Sequence, residues 1–344
     1  LASNNHQRGN FKKAEKLYNK ILKSVPDHFQ SIFLLGTLFA QIKNYEGAIS
    51  LLKKAIQINP SYLNAYNNLG SIYREMGSNQ EAIPYYKKII NIDPNYIEAH
   101  NNLGKIYNEI GNYPEAISFF KTVIKLNSQH IESYNNLGVL LKQQGQLKEA
   151  AYCYKKVLEI DPEYTETLNN YGALLRLEEK YKEALNNYEK VIKINPKFLE
   201  AYINIGNVLN DLGKHSEAIK MFQKANEINP NYLTAYWLSL NTFPVIYKNT
   251  KELDFYRNRF IENINKLNQL ILKNKNYTKN EILNALKTST NFYLHYQGNN
   301  DLVLQTQYGK LIEKLTKKIY PQFHRKRIKK KISKKIKIGF VSSN

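Results

Sequence analysis

A glycine returns every 34 residues along most of this 344-residue chain, at Gly36, Gly70, Gly104, Gly138, Gly172 and Gly206. Alanine keeps the same step at Ala14, Ala48, Ala82, Ala116, Ala150, Ala184 and Ala218. Proline follows at Pro26, Pro60, Pro94, Pro162, Pro196 and Pro230, with Ser128 in the one place that breaks the series. A fixed period between about 20 and 50 residues belongs to stacked-repeat architectures, in which each unit buries its apolar face only against its neighbours. The period therefore constrains the fold closely and leaves the function open.

Residues 63–96 show the pattern within one repeat. Tyr66, Leu69, Tyr73 and Met76 recur at helical spacing, which predicts a first helix from about Leu63 to Met76. Gly70 lies inside it, where glycine costs about 1 kcal/mol relative to alanine. A cost repeated in every unit calls for a packing reason, and Ala82 of the second helix is the small residue expected to face it. Gly77 ends the first helix, since glycine tolerates the left-handed conformation at a helix terminus. Ala82, Tyr86, Ile89 and Ile90 mark the second helix, and Asp93-Pro94 stops it.

The pattern Tyr66-x2-Leu69-Gly70-x2-Tyr73…Ala82-x3-Tyr86…Pro94 resembles the tetratricopeptide repeat. Six complete repeats start at Phe29, Leu63, Ile97, Ile131, Thr165 and Leu199, preceded by a partial one in residues 1–28. A seventh begins at Leu233 but carries Leu240 in place of the glycine and meets Pro244. Lys43 and Glu179 replace the glycine between helices, and Leu168 replaces an aromatic. The resemblance implies an all-α, right-handed superhelix over residues 29–232, and a protein or peptide as partner.

Two residues before the repeated glycine stand Asn68, Asn102, Asn136, Asn170 and Asn204, and one position earlier Asn67, Asn101, Asn135 and Asn169. The period places each set on one face of successive first helices, which line the concave surface in proteins of this family. An amide offers both an acceptor and a donor, matching the C=O and N–H of an extended peptide. Asn68, Asn102, Asn136, Asn170 and Asn204 are therefore the expected peptide-binding residues. The competing reading is polar bonding between neighbouring helices. Lys105, Lys142, Arg74 and Arg176 are expected on the same surface, without the Lys-rich clamp that captures C-terminal carboxylates.

Beyond Thr242 the period is lost and helical patterning continues through a connector, residues 233–320. Leu253, Tyr256, Phe260, Ile264, Leu267 and Ile271 predict a long amphipathic helix, and Thr278-x-x-Glu281 reads as a capping box. Leu304, Tyr308, Leu311, Leu315 and Ile319 predict a further helix that Pro321 stops. Residues 321–344 form a basic linker and then Lys335–Asn344, which reads as the first buried strand of an α/β domain. A lone strand needs partners. Together with Leu1 at the start, this predicts a chain truncated at both ends.

Three segments resemble bacterial-type O-GlcNAc transferase-like glycosyltransferases. They are Phe243-Pro244-Val245-Ile246-Tyr247, Asn291-Phe292-Tyr293-Leu294-x-Tyr296-Gln297-Gly298 and Lys337-Ile338-Gly339-Phe340-Val341-Ser342-Ser343. The resemblance implies a substrate-recruiting arm whose parent transfers a sugar from a UDP-sugar donor to Ser or Thr hydroxyls. The family's catalytic and nucleotide-sugar positions fall after Asn344, so the chain is expected to hold no catalytic residue, cofactor site or metal site. A non-enzymatic scaffold or adaptor is the alternative.

The remaining composition narrows the partners. Net charge is +21, but eleven Lys/Arg and no acid lie between Lys317 and Lys337, leaving about +10 for the rest. A solvated lysine-rich face and a basic interdomain linker are the preferred readings over nucleic-acid binding. No run approaches 18 apolar residues, which argues against a membrane span. Cys153 alone gives no disulfide framework and fits a cytoplasmic, reducing compartment. The seven histidines show no metal-ligand spacing, and His100 stands in an aromatic packing position. Homodimerisation is left open.

Overall fold

The computed structural model describes residues 1–273, 277–288 and 301–324. Among them the chain is helical, with no strand. A leading pair, α1 (Ala2–Gln7) and α2 (Phe11–Ser24), is followed by α3 (Phe29–Gln41) with α4 (Tyr45–Ile58) and α5 (Leu63–Glu75) with α6 (Asn79–Ile92). Then come α7 (Ile97–Glu109) with α8 (Tyr113–Leu126), and α9 (Ile131–Gln143) with α10 (Leu147–Ile160). The last full repeats are α11 (Thr165–Leu177) with α12 (Tyr181–Ile194), and α13 (Leu199–Asp211) with α14 (His215–Ile228). The connector holds α15 (Leu233–Asn241), α16 (Thr250–Lys273), α17 (Lys279–Thr288) and α18 (Leu302–Ile319), after which Pro321–His324 form a 3-10 turn. The first helices thus run 13 residues and the second 14 in every full repeat, as the period requires.

Compact packing divides the chain into Leu1–Leu174 and Leu175–Asn344. In the first unit α1 to α10 pack in their pairs, and α2, α4, α6 and α8 each pack against the first helix of the following repeat. The periodic alanines are fully buried throughout, as are the aromatics four residues later, Tyr86, Phe120, Tyr154 and Tyr188.

The glycine position departs from the expectation drawn from sequence. A Cβ at Gly70 would lie 2.6 Å from the ring of Tyr86, and at Gly138 2.6 Å from the ring of Tyr154. The facing group is therefore an aromatic ring, not Ala82. Long helical side chains lean back over the turn N-terminal to their own Cα, so Tyr86 covers the turn that carries Ala82. The small alanine makes room for the ring, and the glycine receives it. The first repeat differs, with Leu52 opposite Gly36.

Lys43 (φ 61°) and Glu179 (φ 58°) adopt the left-handed conformation that Gly77 (φ 75°) adopts at the equivalent place. The inter-helix turn is thus kept at both substituted positions, at a local backbone cost.

In the second unit α15 is only nine residues long and ends before Pro244, with Leu240 fully buried. The expected connector helices form. Tyr256, Phe260, Ile264, Leu267 and Ile271 of α16 share a core with Trp237, Tyr308, Leu311 and Leu315. The capping box at α17 is complete: Thr278 N–H donates to Glu281 Oε2 at 2.7 Å and Glu281 N–H donates to Thr278 Oγ1 at 3.2 Å. The motif expected at residues 291–298, the basic stretch 325–337 and the strand expected at 335–344 lie outside the described residues.

One buried cation organises the break in the repeat. Arg259 of α16 is 8% exposed and donates to the carbonyls of Ser239 and Thr242. Because α15 stops at Asn241, its last carbonyls have no helical amide to accept from. Arg259 supplies those donors, and its guanidinium lies 5.5 Å from the Phe243 ring centre and 5.3 Å from that of Tyr256.

Candidate functional site

Asn68, Asn102, Asn136, Asn170 and Asn204 fall on α5, α7, α9, α11 and α13, and every one is half-buried. Most are engaged with a neighbouring repeat. Asn68 Nδ2 donates to Thr37 Oγ1 at 3.0 Å, Asn102 Oδ1 accepts from Arg74 at 3.3 Å, and Asn170 Nδ2 donates to Asn135 Oδ1 at 3.2 Å. Asn204 also has a partner. Asn136 has none among the described residues. The expected bonding between neighbouring helices is therefore present. It does not exhaust the amides, because each offers two donors and an acceptor with two lone pairs.

In the second row Asn101 and Asn135 are firmly committed to the fold, whereas the buried Asn67 Oδ1 has no partner among the described residues. Asn101 is 6% exposed, donates to Glu132 Oε2 at 2.7 Å and accepts from Ser133 at 3.1 Å. Asn135 accepts from Thr167 at 2.8 Å as well as from Asn170. These side chains hold successive first helices together. Asn101 and the adjacent Asn102 thus carry different weights, a distinction that the sequence pattern does not reveal.

Three of the four expected cations are neutralised within the fold. Lys105 pairs with Glu132, Arg74 with Glu109 at 3.8 Å, and Arg176 with Asp211. Burial raises the pKa of the Glu132 carboxyl, but the bonds from Lys105 and Asn101 outweigh it and hold the group below the usual range.

No catalytic constellation appears elsewhere among the described residues, and no three His, Cys, Asp or Glu side chains are grouped to hold a metal. A hollow of about 540 Å³ is lined by His215, Ser216 and Glu252, but the Ser216 hydroxyl pairs with Tyr256 and His215 Nδ1 with Asn210. His28 and His130 accept from the Ser31 and Ser133 amides as helix caps. His100 Nε2 bonds the Pro94 carbonyl at 2.8 Å, the bond that the Tyr66 hydroxyl makes to Pro60. Cys153 is buried, and burial pushes its thiol up to about 11, away from the reactive thiolate. No described helix is long and apolar enough to cross a membrane.

The comparisons agree with the periodicity. Models described as tetratricopeptide repeat match residues 61–129, 96–163, 131–197 and 175–240, and a TPR repeat model matches residues 36–77. No curated protein matches the chain. Among solved structures, a tetratricopeptide repeat protein from Parabacteroides merdae is 18% identical with a TM-score of 0.59, over 84% of this chain and 98% of that one. Pseudomonas aeruginosa pilF is likewise 18% identical, with a TM-score of 0.51, over 67% and 97%. YrrB, described as a TPR protein with an unusual peptide-binding site, is 22% identical with a TM-score of 0.46, over 54% and 95%. Repeat after repeat, the period, the helix pairing and the family match coincide from residue 36 to residue 240, more than half of the sequence, and the chain belongs to the tetratricopeptide-repeat family.

Proposed function

We propose that the first-helix face of this array holds polypeptide in extended form, bonding its backbone through Asn68, Asn102, Asn136, Asn170 and Asn204. The observation that carries the reading is the register of five half-buried amides whose bonding capacity the fold only partly uses. Backbone capture tolerates varied side chains, which suits a module that recruits many proteins. Each bond contributes about 0.5–1.5 kcal/mol net, so the five together give weak capture once the ordering of the peptide is counted.

The test is the variant with all five asparagines replaced by alanine, titrated with a labelled pool of degenerate, acetylated and amidated dodecapeptides. Affinity is expected to fall at least tenfold. Because Asn68, Asn102 and Asn170 also join repeats, the variant should melt earlier, by about 1 kcal/mol for each such bond lost. The titration therefore belongs well below its melting range, as monitored by circular dichroism. Unchanged affinity in a folded variant would reduce the ladder to inter-repeat bonding.

A finer reading makes this face the recruiting arm of an O-GlcNAc-type transferase that uses a UDP-sugar. Its support is the sequence resemblance at residues 243–247, 291–298 and 337–343. A scaffold or adaptor role fits the repeats equally well. The lone buried cysteine suits a cytoplasmic setting for either.

A further inference from the structure

The polar side chains between repeats follow a second rule, with a spacing of 35 residues. His6 bonds Gln41 at 2.9 Å, Arg74 pairs with Glu109, and Arg176 pairs with Asp211. In each case the donor stands near the end of a first helix, and the acceptor is one residue past its counterpart in the following repeat. Lys142 of α9 occupies the donor position of this series. Thirty-five residues on, the sequence has Leu177, which offers no acceptor.

Lys142 is consequently a half-buried cation with no acid and no hydrogen-bond partner among the described residues. Burial lowers its pKa, and no neighbouring charge raises it again. The equivalent Arg74 also donates to a ladder amide, Asn102, 28 residues on. Lys142 stands in that relation to Asn170, another ladder residue. The ladder continues on both sides, through Asn102 and Asn136 before Lys142 and Asn170 after it.

We propose that Lys142 reads an acidic side chain, Asp or Glu, inside the extended segment bound on this face. The inference rests on the polypeptide-binding reading above and adds a chemical preference to it. An internal carboxylate, rather than a terminal one, follows from ladder positions on either side, since a chain laid along them runs past Lys142 in both directions. A carboxylate there would supply the anion that Glu109 and Asp211 supply to Arg74 and Arg176. Charge-assisted bonds of this kind are among the strongest single polar contacts.

The experiment measures fluorescence anisotropy with the full chain and three labelled, degenerate dodecapeptide pools. Two are acetylated and amidated and differ only in carrying Asp or Asn at the central position. The third carries central Asn and a free C-terminal carboxylate. The Asp pool is expected to bind about tenfold more tightly than the blocked Asn pool at low ionic strength, and the gap should narrow with added salt. Lys142→Gln should bring the Asp pool down to the level of the Asn pool, and Lys142→Arg should keep the preference. Equal binding of the Asp and Asn pools by the wild-type chain overturns the inference and leaves backbone capture standing. A preference that survives Lys142→Gln, or tightest binding by the free-carboxylate pool, overturns it too. Binding by none of the pools removes both readings together.

Discussion

Replacing Arg259 by methionine is expected to destabilise the second unit by about 2–4 kcal/mol, read as a lower midpoint in denaturant. The reasoning starts at the early end of α15. Ser239 and Thr242 are 3% and 4% exposed, so neither carbonyl can turn to bulk water once the guanidinium is gone. A buried acceptor left unsatisfied costs about 1–3 kcal/mol. Methionine also forfeits the two ring contacts to Phe243 and Tyr256. Against this stands relief from burying a charge, whose size shows in the guanidinium pKa being pushed down to about 10. Two carbonyls and two rings outweigh it. Arg259→Lys should fall between, because one ammonium cannot reproduce a planar fork that meets two carbonyls. A methionine variant as stable as the wild type would show that the carbonyls find other donors.

The second large effect is expected at the periodic glycine. On an exposed helix, glycine to alanine stabilises by about 1 kcal/mol. Gly138→Ala should do the opposite, destabilising the first unit by about 1–3 kcal/mol, because the added Cβ meets the Tyr154 ring at 2.6 Å in a packed core. The ring is fully buried and has nowhere to retreat. The first repeat suggests the remedy. There Leu52 faces Gly36, and the nearest approach to a Cβ is a looser 3.0 Å. Tyr154→Leu should therefore recover part of the loss, so the double variant is less destabilised than the sum of the singles by about 1 kcal/mol or more. The Tyr154 hydroxyl has no partner among the described residues, so its removal leaves none of their acceptors stranded. Additive effects would place the tolerance for a Cβ elsewhere.

These two sites show what the sequence makes legible and why the rest is hidden. Period, helix boundaries, caps and the end of the array all follow from local chemistry: Gly77 at a left-handed turn, Thr278 with Glu281, Pro244 after α15. The partner of Gly70 is harder to read. Ala82 is the obvious small neighbour, but side-chain direction brings Tyr86 from the next turn into the gap. Arg259 reads as one more surface cation in a lysine-rich chain. Its burial depends on where α15 stops, and the Ser239 carbonyl that it caps lies 20 residues away in sequence.

The ladder lies between these cases. Its register is plain from the spacing, whereas the division of labour between Asn101 and Asn102 depends on which amide meets Glu132 and Ser133. Lys142 illustrates the same limit. Its isolation becomes visible only against the bonded pairs of other repeats, which fix the 35-residue rule that it breaks.

The central claim is that the array grips polypeptide by its backbone, and the most direct measurement removes the backbone donors alone. A degenerate, blocked dodecapeptide pool and its counterpart N-methylated at alternate peptide bonds carry the same side chains. By calorimetry, the unmodified pool should bind and the methylated pool should bind at least tenfold more weakly, since each methyl removes an N–H that an asparagine carbonyl would accept. Equal affinity for the two pools would contradict the account and shift recognition to peptide side chains.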